Sequence, residues 1–334
     1  DSPAVTVDAI NSVIAAAGRF GRPDVALKTL NEMNFKYFQK PNERTYRSVI
    51  IACNQAEHEK RRQRAKSQAT FDGQMETQKL KLRDSQEESL SFEWWEASLS
   101  LLRRMKEDHI QPSIQTYSSV ISACEAAGQW QRAVGILSSM TKTNDAACQP
   151  NLYCLNACLA ALEKGGAWLE AVELYERMKT EGGPIKPNFI SMNSLLIVLD
   201  RAEQRELAES IYKEALKEKI LNPWKYTLDS NHSERIRVMD LHQHSVPMAK
   251  IAVRIAIDSL LQKQSSHAMD INDDLIIVLG KGKRSGGKPK LMPIIQDLLK
   301  NEYEIMSSIQ QENTGRLRIL SKVLIKFAER KRWQ

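Results

Sequence analysis

Apolar residues recur at helical spacing through the first two thirds of the chain, where short polar segments separate one apolar stretch from the next. Residues three or four apart lie on one face of a helix, so the pattern predicts a series of amphipathic helices. Five of these stretches align without gaps, which indicates an internal repeat. They are INSVIAAA from Ile10, YRSVIIAC from Tyr46, YSSVISAC from Tyr117, LNACLAAL from Leu155 and MNSLLIVL from Met192.

A second predicted helix follows each stretch and carries one small residue, with a methionine or alanine seven positions later. A small residue suits the place where two helices cross closely, and methionine fills irregular gaps. A proline then ends each unit, because proline cannot continue a helix. The small residues are Ala26, Ser98, Ala133, Ala171 and Ala208; the gap fillers are Met33, Met105, Met140, Met178 and Ala215; the prolines are Pro41, Pro112, Pro150, Pro187 and Pro223. One hairpin cannot bury its own apolar face, so the predicted fold is an α-solenoid of stacked helical hairpins.

The repeats are predicted to span residues 1–224. The second unit is longer than the others, because a segment dense in charge of both signs separates its helices. Such a segment buries too little apolar surface to order itself, so we predict a flexible insertion over residues 59–90. The preferred interpretation is a solvated loop, and the alternative is that its basic start, residues 60–66, contacts RNA. The five units are residues 7–42, 43–113, 114–151, 152–188 and 189–224.

Residues 225–334 change pattern and predict a small α/β domain. Partial alternation predicts one strand, and a continuous apolar run predicts another that is covered on both faces. The alternation of strands and helices favours an open sheet, whose ligands bind at the carboxyl ends of its strands. The predicted strands are 235–242, 275–279 and 315–320, and the predicted helices are 246–263, 290–301 and 321–333.

Charge is distributed unevenly along the chain. The net charge is +7, and residues 225–334 account for all of it with 19 basic and 12 acidic residues. This asymmetry favours an acidic partner for the last third, most often a nucleic acid. No apolar run approaches the roughly 18–20 residues that cross a bilayer. Five cysteines without paired metal spacing predict reduced thiols and a reducing compartment.

A glycine- and lysine-rich segment, GKGKRSGGKPK, follows the apolar strand at residues 280–290. Its spacing fits a nucleotide-binding P-loop, but Pro289 stands where Ser or Thr must hold magnesium, so no NTP is expected. Glycines expose backbone N–H groups and lysines add positive charge, which suits the phosphates of a nucleic-acid backbone. The candidate phosphate-binding residues are Gly280, Lys281, Gly282, Lys283, Arg284 and Lys288.

Asp240 and His242 end the first predicted strand, two residues apart and therefore on one side of it. A histidine beside phosphates can move a proton near neutral pH, so His242 is a candidate general acid or base on a ribose hydroxyl or water. Asp240 would orient it or hold a metal. The alternative is that Asp240 caps a turn and His242 is structural. The sequence shows no second carboxylate or histidine cluster that would mark a metal site. No cofactor is therefore predicted with certainty, and Mg²⁺ is the alternative.

The repeats resemble the pentatricopeptide family, whose units have about 35 residues, two helices and a final Pro-Asn or Pro-Ser. The tryptophan and glycine signature of the rival tetratricopeptide repeat is missing. In the pentatricopeptide family the fifth and final residues of each repeat read one RNA base. By position the pairs are Asn11/Asn42, Arg47/Ser113, Ser118/Asn151 and Asn156/Asn188, with Asn193 in a fifth unit that closes on Trp224. The family's pairing rules favour a pyrimidine for the first and fourth pairs and adenine for the third, whereas the second fits no standard pairing. The alternative is that these residues only cap helices.

The last third resembles the small MutS-related (Smr) domain, which carries an L-D-x-H motif and a T-G-x-G loop. The resemblance rests on MDLHQHSVPMAKIAVR and GKGKRSGGKPKLMPIIQDLL, and it covers residues 236–330. Met239 replaces the usual Leu, and Leu279 replaces the usual Thr. The resemblance implies a fold like the C-terminal domain of bacterial translation initiation factor three, and an endonuclease that cleaves nucleic acid. Binding without cleavage stays open, as does RNA against DNA.

The combination of the two domains resembles plant and algal organellar proteins. It implies a plastid or mitochondrion as location, with any targeting peptide outside a sequence that begins at Asp1. The expected partner is single-stranded RNA, and the alternative is an organellar ribosome or transcription complex.

Overall fold

The computed structural model describes residues 5–71, 93–142, 148–180, 185–228, 235–262, 273–281, 289–311 and 313–332. The chain divides into two compact units, Asp1–Lys186 and Pro187–Gln334. Its fold class is the predicted one, a helical repeat solenoid followed by a small mixed α/β sheet domain.

The first unit consists of helical hairpins. Within this unit, the first helix of each hairpin packs on the first helix of the next, and α2, α4 and α6 each pack on both their own partner and the following hairpin. This arrangement confirms the predicted stacking, since every hairpin covers the apolar face that its neighbour leaves open. The helices are α1 Val7–Arg19, α2 Pro23–Lys36, α3 Glu43–Phe71, α4 Trp94–Glu107, α5 Ile114–Ala126, α6 Trp130–Thr141, α7 Leu152–Gly165 and α8 Trp168–Thr180.

Small residues occupy the predicted crossing points of the hairpins. Ala26, Ser98 and Ala133 are each 0% exposed, and the methionines that follow them by seven positions are buried as well. The Ser98 hydroxyl donates to the carbonyl of Trp94 one turn earlier, which satisfies a polar group that would otherwise be costly to bury. The repeating columns of the sequence are therefore the packing seam between helices. The five cysteines are buried free thiols.

The α3 helix corrects the predicted insertion. Residues 59–71 continue α3 to Phe71, so the prediction of a flexible segment is wrong there, and residues 72–90 lie outside the described ranges. Residues 59–71 are mostly strong helix formers and include no Gly or Pro. Glu59 accepts a hydrogen bond from Gln63 one turn on, and Lys60 forms a 2.9 Å ion pair with Glu93. Low hydrophobicity limits burial, but it does not prevent a helix that neighbouring side chains support.

The second unit combines one further hairpin with a five-stranded sheet. The hairpin packs on α11, and α11 in turn contacts α12 and α13. The elements are α9 Phe189–Arg201, α10 Arg205–Lys217, β1 Trp224–Leu228, β2 Arg235–Asp240, α11 Val246–Gln262, β3 Leu275–Val278, α12 Leu291–Tyr303, β4 Ser308–Ile309, β5 Arg316–Ile319 and α13 Ser321–Arg332. The sequence places a domain boundary after Trp224, whereas the compact unit begins at Pro187 and includes the fifth hairpin.

The sheet has the order β1-β2-β3-β5-β4, and only β2 and β3 are parallel. Their carboxyl ends therefore lie at one edge, where Asp240 pairs with Val278, and the antiparallel β5 begins at the same edge with Arg316. Both faces of β3 are covered, because Leu275, Ile276 and Ile277 are all buried. The sequence missed β1 and β4, which lie at the two sheet edges. It also extended β2 to His242, two residues past its end.

Gly165 at the end of α7 offers a test of the hairpin packing. A Cβ atom added there would overlap the Trp130 indole, so Gly165→Ala is expected to lower the free energy of unfolding by about 1–3 kcal/mol. Gly135 in α6 is the matched control, because nothing lies within 4 Å of an added Cβ. Gly135→Ala is expected to raise the same quantity by about 0.5–1 kcal/mol. Chemical denaturation measures both, and equal effects would contradict the close approach.

Candidate nucleic-acid interface

The final residues of the repeats cap the helices that follow them. Asn42 Oδ1 accepts from Thr45 N at 3.0 Å, and Asn151 Oδ1 accepts from Cys154 N at 3.0 Å. Ser113 accepts from Thr116 N through its hydroxyl, and Asn188 forms a reciprocal capping box with Ser191. Capping uses only the oxygen of each asparagine, and the amide Nδ2 on the same side chain is a second hydrogen-bonding group. Capping and base reading are therefore compatible at these positions.

The fifth residues of the repeats lie on the first helices but differ in burial. Asn11 is 1% exposed, and neither its Oδ1 nor its Nδ2 has a hydrogen-bond partner among the residues that the structure describes. Ser118 is buried and donates to the carbonyl of Ile114. Asn156 and Asn193 are half-buried, and Asn193 Oδ1 is buried without a partner in the same set of residues. Base reading by Asn11 therefore requires the side chain to turn outward.

Glu43 holds both members of the second predicted pair. Its Oε1 accepts a 2.6 Å hydrogen bond from the Ser113 hydroxyl, and its Oε2 lies 3.5 Å from Arg47 Nη1. Thr116 also donates to Oε1 at 3.0 Å. Arg47 and Ser113 thus meet at one carboxylate.

The sheet edge brings Asp240, His242 and Lys225 together. Asp240 Oδ1 lies 2.5 Å from His242 Nδ1, and Asp240 Oδ2 lies 2.6 Å from Lys225 Nζ. The His242 side chain is 44% exposed and that of Asp240 is 12% exposed, so the imidazole faces solvent above a covered carboxylate. The two residues come together although β2 ends at Asp240, because the His242 backbone N–H also turns back to Asp240 Oδ1 at 3.3 Å.

The charge state of Asp240 determines which nitrogen of the neutral His242 ring carries the proton. Burial would raise the pKa of Asp240, but the hydrogen bonds from His242 and Lys225 outweigh it and hold the pKa below its ordinary value. An ionised carboxylate only accepts hydrogen bonds, so His242 Nδ1 must carry the proton. In the neutral ring Nε2 is then the acceptor, which is the arrangement that a carboxylate-oriented general base requires.

The glycine segment begins beside this site. Gly280 has φ +82°, a conformation that favours glycine, and a Cβ added there would lie 3.5 Å from His242 Cβ. Gly315, just before β5, approaches Gly280 and Lys281 so closely that its carbonyl accepts from Leu279 N and Gly280 N. The Gly280 N–H is therefore already used within the sheet edge, whereas Lys281 is exposed. The remaining predicted phosphate ligands, Gly282, Lys283, Arg284 and Lys288, lie outside the described residues.

Two residues at this edge, Lys225 and Gly315, were not predicted from the sequence. Lys225 belongs to β1, which the pattern did not predict, and Gly315 is an isolated glycine far along the chain. His244 contacts Phe189 with ring centroids 5.3 Å apart, and neither ring nitrogen has a partner within the described part of the chain. Burial lowers the pKa of His244 to about 4, so the ring is neutral at physiological pH. For His244 the sequence does offer a signal, because it is a second histidine two residues after His242.

Mg²⁺ does not fit the observed site. Both Asp240 oxygens are engaged, one by His242 and the other by the Lys225 ammonium. Across the described ranges, no group of three or more His, Cys, Asp or Glu side chains could hold a metal ion.

None of the described helices combines the length and the apolar character that a membrane span requires.

Family models match three segments of the first unit. A pentatricopeptide repeat domain model matches residues 100–164, and a PPR repeat model matches residues 9–37 and 153–183. These segments are similar to pentatricopeptide repeats. They include all or part of helices α1, α2 and α4–α8, and all of them end before the α/β sheet begins. The Smr assignment of the sheet therefore stays a prediction.

Several solved structures are similar to the chain. Nuclear proteinaceous RNase P 2 from A. thaliana has 12% identity and a TM-score of 0.47, covering 67% of this chain and 39% of that one. The pentatricopeptide repeat protein PPR10 from maize, in complex with an 18-nt psaJ RNA element, has 19% identity and a TM-score of 0.45, covering 79% and 30%. The PPR domain of Arabidopsis thaliana protein-only RNase P 1, in complex with tRNA, has 13% identity and a TM-score of 0.44, covering 66% and 91%. This chain thus spans less than half of the first two proteins. No curated protein matches it significantly.

Asn151 tests the capping role separately from any RNA contact. Asn151→Ala is expected to lower the free energy of unfolding by about 1 kcal/mol, because the Cys154 N–H loses its acceptor. Asn151→Asp keeps an acceptor oxygen at a helix N-terminus, where negative charge is favourable, and is expected to be near neutral. Denaturation of the RNA-free protein measures both. No loss in Asn151→Ala, or an equal loss in both variants, would contradict the capping role.

Proposed function

We propose that this protein binds single-stranded RNA through its pentatricopeptide repeats and that its α/β unit binds and cleaves the same strand. The observation that carries the proposal is the recurrence of a polar pair, one residue on the first helix and one at the cap of the next, in successive repeats. Amide and hydroxyl groups can donate to and accept from a base edge. One such pair per repeat suits the reading of one base per repeat.

The predicted pairs assign a short target. Asn11/Asn42 and Asn156/Asn188 would read pyrimidines, and Ser118/Asn151 would read adenine, whereas the Arg47/Ser113 pair is engaged by Glu43. The predicted segment is therefore a pyrimidine, any base, an adenine and a pyrimidine. By resemblance to organellar proteins of this kind, we infer a plastid or mitochondrial transcript as the target.

The sheet edge supports a cleavage step without a metal ion. His242 Nε2 would take the proton from a ribose hydroxyl or from water, and the resulting oxygen would attack phosphorus while the bond to the leaving oxygen breaks and solvent protonates that oxygen. Asp240 would hold the ring in position, as the orienting carboxylate of a triad does. Lys225 and Lys281 would attract the phosphate. The Smr resemblance of this region is the basis for choosing cleavage over binding alone.

A substitution at Ser118 tests the proposed reading of bases by the repeats. Ser118→Asn converts the third pair into the Asn/Asn type, and the fold accommodates asparagine at the equivalent positions 11, 156 and 193. The variant is expected to change its preference from adenine to pyrimidine at one position of a short RNA, by about tenfold in Kd, since a good base contact is worth about 1–3 kcal/mol. Fluorescence anisotropy with oligouridine, with and without one adenosine, measures this. An unchanged preference would contradict base reading by this pair.

His242→Ala tests the cleavage step. Cleavage of end-labelled single-stranded RNA is expected to fall at least about a hundredfold, the range of a positioned general acid or base, while RNA affinity stays within about twofold. The matched control is His109→Asn, which removes an exposed imidazole and suits the positive φ at that position. Equal cleavage by His242→Ala and wild type would remove His242 from the mechanism. No cleavage by either would leave an RNA-binding protein that acts by protecting transcripts or recruiting partners.

A further inference from the structure

We propose that a cavity beside Asp240 and His242 binds one unstacked base of the RNA strand and thereby sets which phosphodiester bond meets His242. The cavity has a volume of about 160 Å³. Its wall includes Phe189, Asn222, Lys225, Asp240, His242 and His244. The inference rests on the proposed function, because it names the part of the RNA that this site would recognise.

The size of the cavity suits a single planar ring. A water molecule takes up about 30 Å³ in the liquid, so the cavity has room for roughly five waters. That space exceeds what the hydration of one side chain requires, and it is far too small for a duplex. Single-stranded RNA is the nucleic acid whose bases can be splayed out and inserted one at a time.

His244 supplies unmet hydrogen-bonding capacity at the cavity wall. Both of its ring nitrogens are buried, and neither has a partner among the described residues. A neutral imidazole offers one donor and one acceptor, and buried groups of either kind are nearly always paired in native proteins. The two ring nitrogens point away from each other, so the edge of an inserted base can pair with one of them.

Aromatic and charged groups complete the surroundings that a nucleotide needs. Phe189 meets the His244 ring edge to face, with an interplanar angle of 76°, and aromatic side chains of this kind are the usual stacking partners of RNA bases. The Lys225 side chain is 58% exposed beside Asp240, where it can contact the phosphate attached to the inserted base. His242 faces the same cavity, so the adjoining phosphate would lie next to its Nε2.

The position of the cavity along the chain connects it to the repeat code. Asn188, a predicted base reader, caps α9, and Phe189 is the first residue of that helix. Asn193 lies four residues after Phe189 and therefore on the same helix face, and its Oδ1 is buried without a partner in the described structure. The fifth unit closes on Trp224 and so has no polar final residue. We infer that its base is read by the cavity instead.

A double-mutant cycle with abasic RNA tests this inference on the full chain. The probe is oligouridine with one adenosine, which the Ser118/Asn151 pair would bind, and one abasic nucleotide is placed in turn at each position of the probe. His244→Phe keeps an aromatic ring against Phe189 and removes both nitrogens. At one position, the abasic nucleotide and His244→Phe are each expected to weaken binding by about tenfold. Together they are expected to cost no more than either alone, because both remove the same contact.

The cycle separates failure of the cavity from failure of RNA binding. Abasic nucleotides at other positions should combine additively with His244→Phe, and His109→Asn should show no coupling at any position. Additive effects at every position, with tight binding by the wild type, would overturn the cavity proposal and leave the proposed function standing; a water-filled structural cavity would behave in this way. Absence of RNA binding by the wild type would overturn both.

Discussion

The structure depends on the inability of one helical hairpin to cover its own apolar face. Each hairpin must stack on the next, and the stack is close because a small residue such as Ala26 or Ala133 stands where helices cross. That constraint fixes the rise from one unit to the next. It also brings the polar cap of each unit to the same place relative to its first helix. The repeated placement of the caps, and with it the proposed reading of bases, therefore follows from the packing of the hairpins.

Features with a local cause could be predicted from the sequence. The hairpins, the buried columns and the two strands β2 and β3 follow from spacing, proline and apolar runs. The extent of α3 could not, because its order comes from pairs such as Lys60 with Glu93, which are 33 residues apart. The fifth hairpin follows the repeat pattern but belongs to the compact unit of the sheet, because it packs on α11. Periodicity alone does not reveal such a neighbour.

The candidate site shows the same limit. The short motif predicted Asp240 and His242, and the structure places their side chains in contact. Lys225 could not be found in this way, since it comes from an edge strand with weak alternation and meets Asp240 only after the sheet forms. Gly315 was missed for the same reason, because its role is to let two backbone segments approach. Residues that act through long-range contacts leave little trace in local pattern, whereas residues that act through chain neighbours leave a clear one.

Glu43 has a consequence for how targets would diverge. Its carboxylate ties Arg47 to Ser113, so under the proposed reading of bases the second unit would favour no one base. If the other units discriminate, this one acts as a spacer, and an RNA can change the facing nucleotide without loss of affinity. RNAs that differ only at this nucleotide would bind with similar affinity, so one protein could bind several related transcripts.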